Sequence, residues 1–112
     1  MTLSPPTNSD TWIGLDDQTL PVNEALEWVN QPECGAVVLF SGNIRNHAEG
    51  RANVTEITYE SYEEQALLRL EKIAEKTREY WPEVRRIVML HRIGKLEIGE
   101  TAVIVLASSA HR

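Results

Sequence analysis

The sequence has 112 residues, which is enough for one hydrophobic core and too few for two separate ones. Hydrophobic residues make up 42% of it and charged residues 25%, as in an ordinary globular domain. The formal net charge of −6 argues against general nucleic-acid binding, which depends on clustered Lys and Arg. No apolar stretch approaches the roughly 20 residues that span a bilayer, and the N-terminus has no export signal. We therefore predict a cytoplasmic protein with no nucleic-acid partner and no membrane.

The chain opens with a segment that is rich in Pro, Ser, Asn and Asp. Residues 1–11 predict a flexible leader, and a single domain is expected over residues 12–112. A short strand is predicted at residues 12–15, followed by a short helix at residues 24–30 with Asn23 as its N-cap.

Two strands are expected in the middle of the chain. Residues 35–44 are rich in Val, Leu and Phe and predict a buried strand, which a polar loop over residues 45–53 follows. Residues 55–62 alternate between apolar and polar, which is typical of a strand with one wet face.

The longest predicted element is a helix that begins at a capping box formed by Ser61 and Glu64 and ends before Pro82. Its apolar face comprises Ala66, Leu67, Leu70, Ile73, Ala74 and Thr77. Two further strands are predicted at residues 84–93 and 101–108, with a glycine-containing turn between them. This order predicts an α+β fold, a mostly antiparallel sheet with the long helix packed on one face. The second face would then need a missing element or another subunit as its cover.

Two polar clusters follow apolar strands and could together bind an anion. Arg45 leaves the first strand, and its guanidinium fits phosphate or carboxylate with two parallel donors. His111 and Arg112 follow the last strand, where the histidine could donate a proton. The alternatives are a solvated loop arginine and a flexible terminal dipeptide.

The remaining reactive side chains favour structural roles. His91 lies within an apolar strand, where a hydrogen-bonded structural histidine is expected. His47, His91 and His111 lack a metal-ligand spacing, so no metal is predicted. Cys34 has no neighbours that would activate a thiol, which favours a structural cysteine.

Several ordered motifs resemble those of the MoaE family, the large subunits of molybdopterin synthase. Residues 35–47 read G-A-V-V-L-F-S-G-N-I-R-N-H, similar to the family signature G-A-V-V-x-F-x-G-x-x-R-N-H. Further blocks follow in family order: Y-E-S-Y at 59–62, W-P at 81–82, H-R-I-G at 91–94, G-E at 99–100 and S-A-H-R at 109–112. The resemblance covers about residues 35–112.

The resemblance implies a MoaE-like α/β hammerhead fold and a sulfurtransferase in molybdenum cofactor biosynthesis. The implied substrate is cyclic pyranopterin monophosphate, which receives two sulfurs as the molybdopterin dithiolene, and no cofactor is implied. The implied sulfur donor is the thiocarboxylated C-terminal Gly-Gly tail of a small ubiquitin-like subunit, similar to MoaD. The implied assembly is a heterotetramer, in which a homodimer of large subunits carries one small subunit at each end.

Carried over by motif, the resemblance implies both catalytic and substrate-binding roles for Arg45, His111 and Arg112. It adds Phe40, Asn46 and His47 as substrate-binding residues. The family continues past its A-H-R motif into a segment with two pocket lysines, and this sequence, which ends at Arg112, contains no match to that segment. Two alternatives to an active synthase follow: a noncatalytic binding module for a ubiquitin-like sulfur carrier, and a dimerising sheet domain only.

Overall fold

A computed structural model describes residues 3–45 and 63–112 in full and residues 56–59 by their backbone. The described elements, in chain order, are β1 (Thr11–Asp16), α1 (Val22–Val29), β2 (Ala36–Asn43), β3 (Glu56–Tyr59), α2 (Glu63–Tyr80), β4 (Val84–Arg92), β5 (Gly94–Glu97) and β6 (Thr101–Ser109). Four strands form a sheet in the order β1-β4-β6-β2, in which β1 and β4 are parallel and the other neighbours antiparallel. Strands β3 and β5 form a separate antiparallel pair. The predicted α+β fold with a mostly antiparallel sheet is confirmed.

The larger hydrophobic core lies between the sheet and α1. Alternate residues of β6 point towards α1, and Ile104 and Leu106 are fully buried there. Ala25 and Val29 of α1 are also fully buried against them. The prediction that this face needs another subunit or a missing element is therefore wrong, because the short helix, eight residues long, supplies the cover.

The opposite face of the sheet is covered by α2 over β1 and β4. Ala74 packs there with Ile87 and Met89. The Arg78 guanidinium donates hydrogen bonds of 2.8 Å to the Thr11 hydroxyl oxygen and of 3.2 Å to the Val84 carbonyl oxygen, which connects the helix to both strands. Ile73, predicted on the packed face, is 52% exposed because α2 covers only this part of the sheet. None of the described helices is long and apolar enough to cross a membrane.

Two details near the N-terminus differ from expectation. Helix α1 begins at Val22, and Pro21 takes the N-cap position, so Asn23 lies within the first turn and is exposed. The Pro21 carbonyl accepts the Ala25 amide at 2.9 Å, and the helix begins two residues earlier than predicted. In the predicted leader, Leu3 packs against the core and Asp10 lies 3.2 Å from the Arg86 guanidinium. The mobility of that leader stays a prediction.

Strand β2 is an edge strand of the described sheet and is largely exposed. The prediction of a buried strand is wrong for the isolated protomer, since Val38 is 65% exposed and Phe40 58%. Apolar composition indicated the strand correctly, but it cannot tell a strand covered by its own chain from one that another chain covers.

The segment between β4 and β6 is more than a turn. Gly94 and Gly99 have the positive φ angles expected of turn glycines, +84° and +88°. Between them, β5 pairs with β3, so part of the predicted turn is a strand. The Ser61 cap proposed for α2 lies outside the described residues.

Candidate functional site

Arg45 is the last described residue before a gap, and it is exposed. The residue before it, Ile44, is only 4% exposed and packs with Leu96 and Ala102. The buried Ile44 side chain thus fixes the backbone directly before the exposed Arg45, just beyond the end of β2. Asn46 and His47, predicted for the same site, lie outside the described residues.

His111 and Arg112 are exposed beyond the end of β6 and lie beside the start of β2. The Gly35 amide donates a hydrogen bond of 3.1 Å to the Ala110 carbonyl oxygen. A Cβ at Gly35 would lie 2.9 Å from that oxygen and 3.9 Å from Cγ of Arg112. The close approach that positions the terminal basic pair therefore requires glycine at residue 35.

Gly35→Ala is expected to displace the segment from Ala110 to Arg112, because the new methyl group would overlap the carbonyl oxygen. Overpacking of this kind costs about 1–3 kcal/mol. Chemical denaturation measures the cost, and amide chemical shifts at Ala110 and His111 report the displacement. Cys34→Ala, one residue away, is the control and should leave those shifts in place. Unchanged shifts in Gly35→Ala would contradict this role of Gly35.

The two basic clusters lie at opposite ends of the β2–β6 pair. In this antiparallel ladder Ala36 pairs with Ser109, and Asn43 pairs with Thr101. Eight residues of β2 separate the clusters, and at about 3.3 Å per residue this is roughly 26 Å. The clusters therefore do not meet within one protomer, because antiparallel neighbours place the end of one strand beside the start of the other. Their predicted contribution to a single anion site stays a prediction.

Phe40 lies on the face of the sheet that it shares with its partner Val105. A Cβ at Gly42 would lie 3.4 Å from the Phe40 ring and 2.7 Å from a Val103 methyl group. The ring thus leans along the strand towards the end that carries Arg45.

In the part of the chain that the structure describes, the guanidinium groups of Arg45 and Arg112 are available to bind an anion. Among the described residues, neither Arg45 nor Arg112 takes part in a hydrogen bond or ion pair, whereas Arg78, Arg86 and Arg92 donate to carbonyl or carboxylate oxygens within the domain.

His91 is half-buried, with Nδ1 2.6 Å from the Arg92 carbonyl oxygen. Within the described ranges, no three His, Cys, Asp or Glu side chains are grouped to hold a metal ion.

One ion pair near the site was not singled out from the sequence. Arg92 of β4 binds the Glu100 carboxylate, and Glu100 is bonded through its backbone to Ile44. The hydrogen bond from the Glu97 amide and the Arg92 guanidinium together lower the pKa of the Glu100 carboxyl group. The H-R-I-G and G-E motifs contain both residues, but a sequence does not indicate that they touch.

An open groove with a volume of about 340 Å³ lies at the other edge of the sheet, between β1 and α2. None of the predicted site residues lines it. Its lining residues are Ser9, Thr11, Ile13, Glu71, Ala74, Glu75 and Arg78. The groove and the predicted site are therefore separate features.

Comparison with known proteins gives one consistent family. The family described as MoaE protein matches residues 15–112. The molybdopterin synthase catalytic subunit of Taeniopygia guttata is 42% identical over 101 residues, which are 90% of this chain and 64% of that protein. The human subunit is 38% identical over 100 residues, 89% of this chain and 52% of that protein. The crystal structure of molybdopterin synthase from Staphylococcus aureus superposes with a TM-score of 0.78 at 31% identity, covering 88% of this chain and 70% of that chain.

The fold is thus the MoaE fold, with basic residues at both ends of an apolar edge strand. The chain belongs to the MoaE family. It spans about half to two thirds of the length of the Taeniopygia guttata and human relatives.

Proposed function

We propose that this chain acts as the substrate-holding part of a molybdopterin synthase large subunit. It would bind cyclic pyranopterin monophosphate and direct to it the sulfur of a thiocarboxylated ubiquitin-like small subunit. The observation that carries the proposal is the exposure of Arg45 and Arg112 with no described intramolecular partner, in a chain that belongs to the MoaE family. Two such guanidinium groups suit a phosphorylated substrate, since each can bind a phosphate with two parallel donors.

A single anion site built from both clusters requires two copies of the chain. A two-fold axis through the middle of β2 would place two β2 strands side by side and antiparallel, with Ala36 opposite Asn43 of the second copy. Arg45 would then lie opposite Cys34 of the second copy and close to its Arg112, which reaches over Gly35. Arg45 and Arg112, which lie at ends of β2 roughly 26 Å apart in one chain, would then be close to each other across the dimer interface.

The character of β2 supports this homodimer. Residues 36–43 contain no charged side chain, and Val37, Val38, Leu39 and Phe40 are all more than one third exposed. Edge strands that remain in water usually carry charges or prolines that prevent pairing with another chain. This strand has neither, so a second copy is the partner that fits it.

The two arginines and the histidine of the proposed site have different roles in the reaction. Arg45 and Arg112 hold the phosphate or stabilise negative charge that develops during acyl transfer. His111 orients or protonates a substrate oxygen, since imidazole exchanges protons near neutral pH. Sulfur arrives as the thiocarboxylate of the small subunit, so Cys34 need not act as a nucleophile.

The competing proposal is a noncatalytic binding module for the same sulfur carrier. Mixing the chain with thiocarboxylated small subunit and cyclic pyranopterin monophosphate distinguishes the two by molybdopterin formation. Product formation supports the synthase. Formation only by a version extended past Arg112 with the family's C-terminal segment supports the binding module.

Arg45→Ala is expected to weaken binding of the pterin phosphate without affecting folding, because the side chain is exposed. Loss of a charge-assisted hydrogen bond costs about 1.5–3 kcal/mol, which corresponds to a rise in Kd of roughly 10- to 150-fold. Calorimetric titration gives the Kd, and circular dichroism checks the fold. The control is Arg69→Ala, which removes an exposed arginine on α2, away from the site, and should leave the Kd unchanged. Equal affinities for both variants would exclude Arg45 from the site.

A further inference from the structure

Arg45 owes its position to the residue before it. The Ile44 amide donates a hydrogen bond of 2.9 Å to the Glu100 carbonyl oxygen, and the Gly99 amide donates one of 2.8 Å to the Ile44 carbonyl oxygen. The backbone immediately before Arg45 is thus bonded on both sides to the turn that ends at Glu100. Any shift of that turn would move Ile44 and the guanidinium after it.

Arg92, at the end of β4, attaches this turn to the main sheet. The Arg92 side chain is 10% exposed, and its guanidinium donates to a Glu100 carboxylate oxygen and, at 2.9 Å, to the Asp17 carbonyl oxygen. The other Glu100 carboxylate oxygen accepts the Glu97 amide at 2.9 Å. One carboxylate therefore closes the turn and connects it to a buried cation.

This pair differs from the exposed ion pairs of the domain. The side chains of Arg85 and Glu33, for example, are 51% and 52% exposed, and such pairs contribute little because water and salt screen them. Arg92 is buried, and its Nε has no hydrogen-bond partner among the described residues. Loss of the Glu100 carboxylate would leave a buried cation with one acceptor fewer, so the turn would have to rearrange to compensate.

We propose that the Arg92–Glu100 ion pair is a positioning device for Arg45, holding the turn of residues 97–100 and, through Ile44, the site of phosphate binding. Neither member of the pair would touch the substrate. The inference rests on the proposed function, since it assigns the pair a role in pterin-phosphate binding. Bidentate binding by a guanidinium tolerates little displacement, so loosening the turn reduces affinity while Arg45 itself is unchanged.

Glu100→Gln tests the inference, because it removes the charge and keeps the shape of the side chain. Glu97→Gln is the matched control: it makes the same change at an exposed position of the same turn. Hydrogen exchange at the Ile44 and Gly99 amides measures the local attachment, and exchange at Leu106 measures the stability of the whole sheet. Titration with cyclic pyranopterin monophosphate measures binding.

In Glu100→Gln we expect exchange at Ile44 and Gly99 to accelerate about tenfold or more with Leu106 unchanged, since local opening is separable from global unfolding. The Kd should rise by a similar factor, and Glu97→Gln should match the wild type in both measurements. Arg92→Lys, which keeps a cation within reach of Glu100, should lie between the wild type and Arg92→Met. This graded rescue separates a positioning role from a general loss of stability.

The outcomes distinguish this inference from the proposed function. A wild-type chain that does not bind the pterin phosphate overturns both. A wild-type chain that binds, together with Glu100→Gln that binds equally well, overturns only the positioning role. Faster exchange at Leu106 as well as at Ile44 would show that the pair stabilises the whole domain, and it would also overturn the inference.

Discussion

Phe40→Asp is expected to convert the proposed homodimer into a monomer. Phe40 is 58% exposed on the uncharged edge strand, so pairing of two copies would bury two carboxylates with no cation beside them. Burying an unpaired charge costs about 3–5 kcal/mol, which raises the dimer dissociation constant by more than about 100-fold. Analytical ultracentrifugation over a range of protein concentrations measures this constant.

The control for Phe40→Asp is Leu68→Asp. Leu68 lies on α2 and is also 58% exposed, so it presents a similar apolar surface in a different place. It should leave the dissociation constant unchanged. A dimer that persists in Phe40→Asp and dissociates in Leu68→Asp would move the interface from β2 to α2.

Leu106→Ala is expected to destabilise the domain more than substitutions of exposed residues such as Arg45 or Leu68. Leu106 is fully buried between β6 and α1, where truncation leaves a cavity that the neighbouring side chains only partly fill. Such substitutions cost about 2–5 kcal/mol. The free energy of unfolding from urea titration measures the loss.

Leu68→Ala makes the same chemical change at a largely exposed position and should alter the free energy of unfolding by less than about 0.5 kcal/mol. Both titrations should be made at one protein concentration, because dimer formation contributes to apparent stability. A loss below about 1 kcal/mol in Leu106→Ala would contradict the packing of β6 against α1.

Most of the described secondary structure could be predicted because its signals are local. The alternation of β6 and the helical spacing before Pro82 both depend on side-chain periodicity within one element. The cover of the second sheet face could not be predicted, since nothing local indicates that the eight residues of α1 fold back over Ile104 and Leu106. The burial of β2 was wrongly predicted for a related reason, because apolar composition does not say which chain provides the cover.

For the candidate site, too, local features could be predicted from the sequence and long-range contacts could not. Position at the end of a strand indicated that Arg45 and His111 would be exposed, and both are. Their separation depends on the register between β2 and β6, which is a long-range property. The Arg92–Glu100 contact also depends on how the turn closes, so motif matching alone did not reveal it. The proposed roles of Asn46 and His47 stay predictions.

The shared site is tested most directly by mixing Arg45→Ala with Arg112→Ala and titrating each variant and the mixture with the pterin phosphate. Each variant alone has damage in every site of its homodimer. In an equal mixture, half of the dimers contain one copy of each variant. One of the two sites in such a dimer takes its Arg45 from the Arg112→Ala copy and its Arg112 from the Arg45→Ala copy, so both arginines are present. About one quarter of all sites should therefore recover wild-type affinity. Mixed dimers with no recovered high-affinity sites would contradict a site that is shared between two copies of the chain.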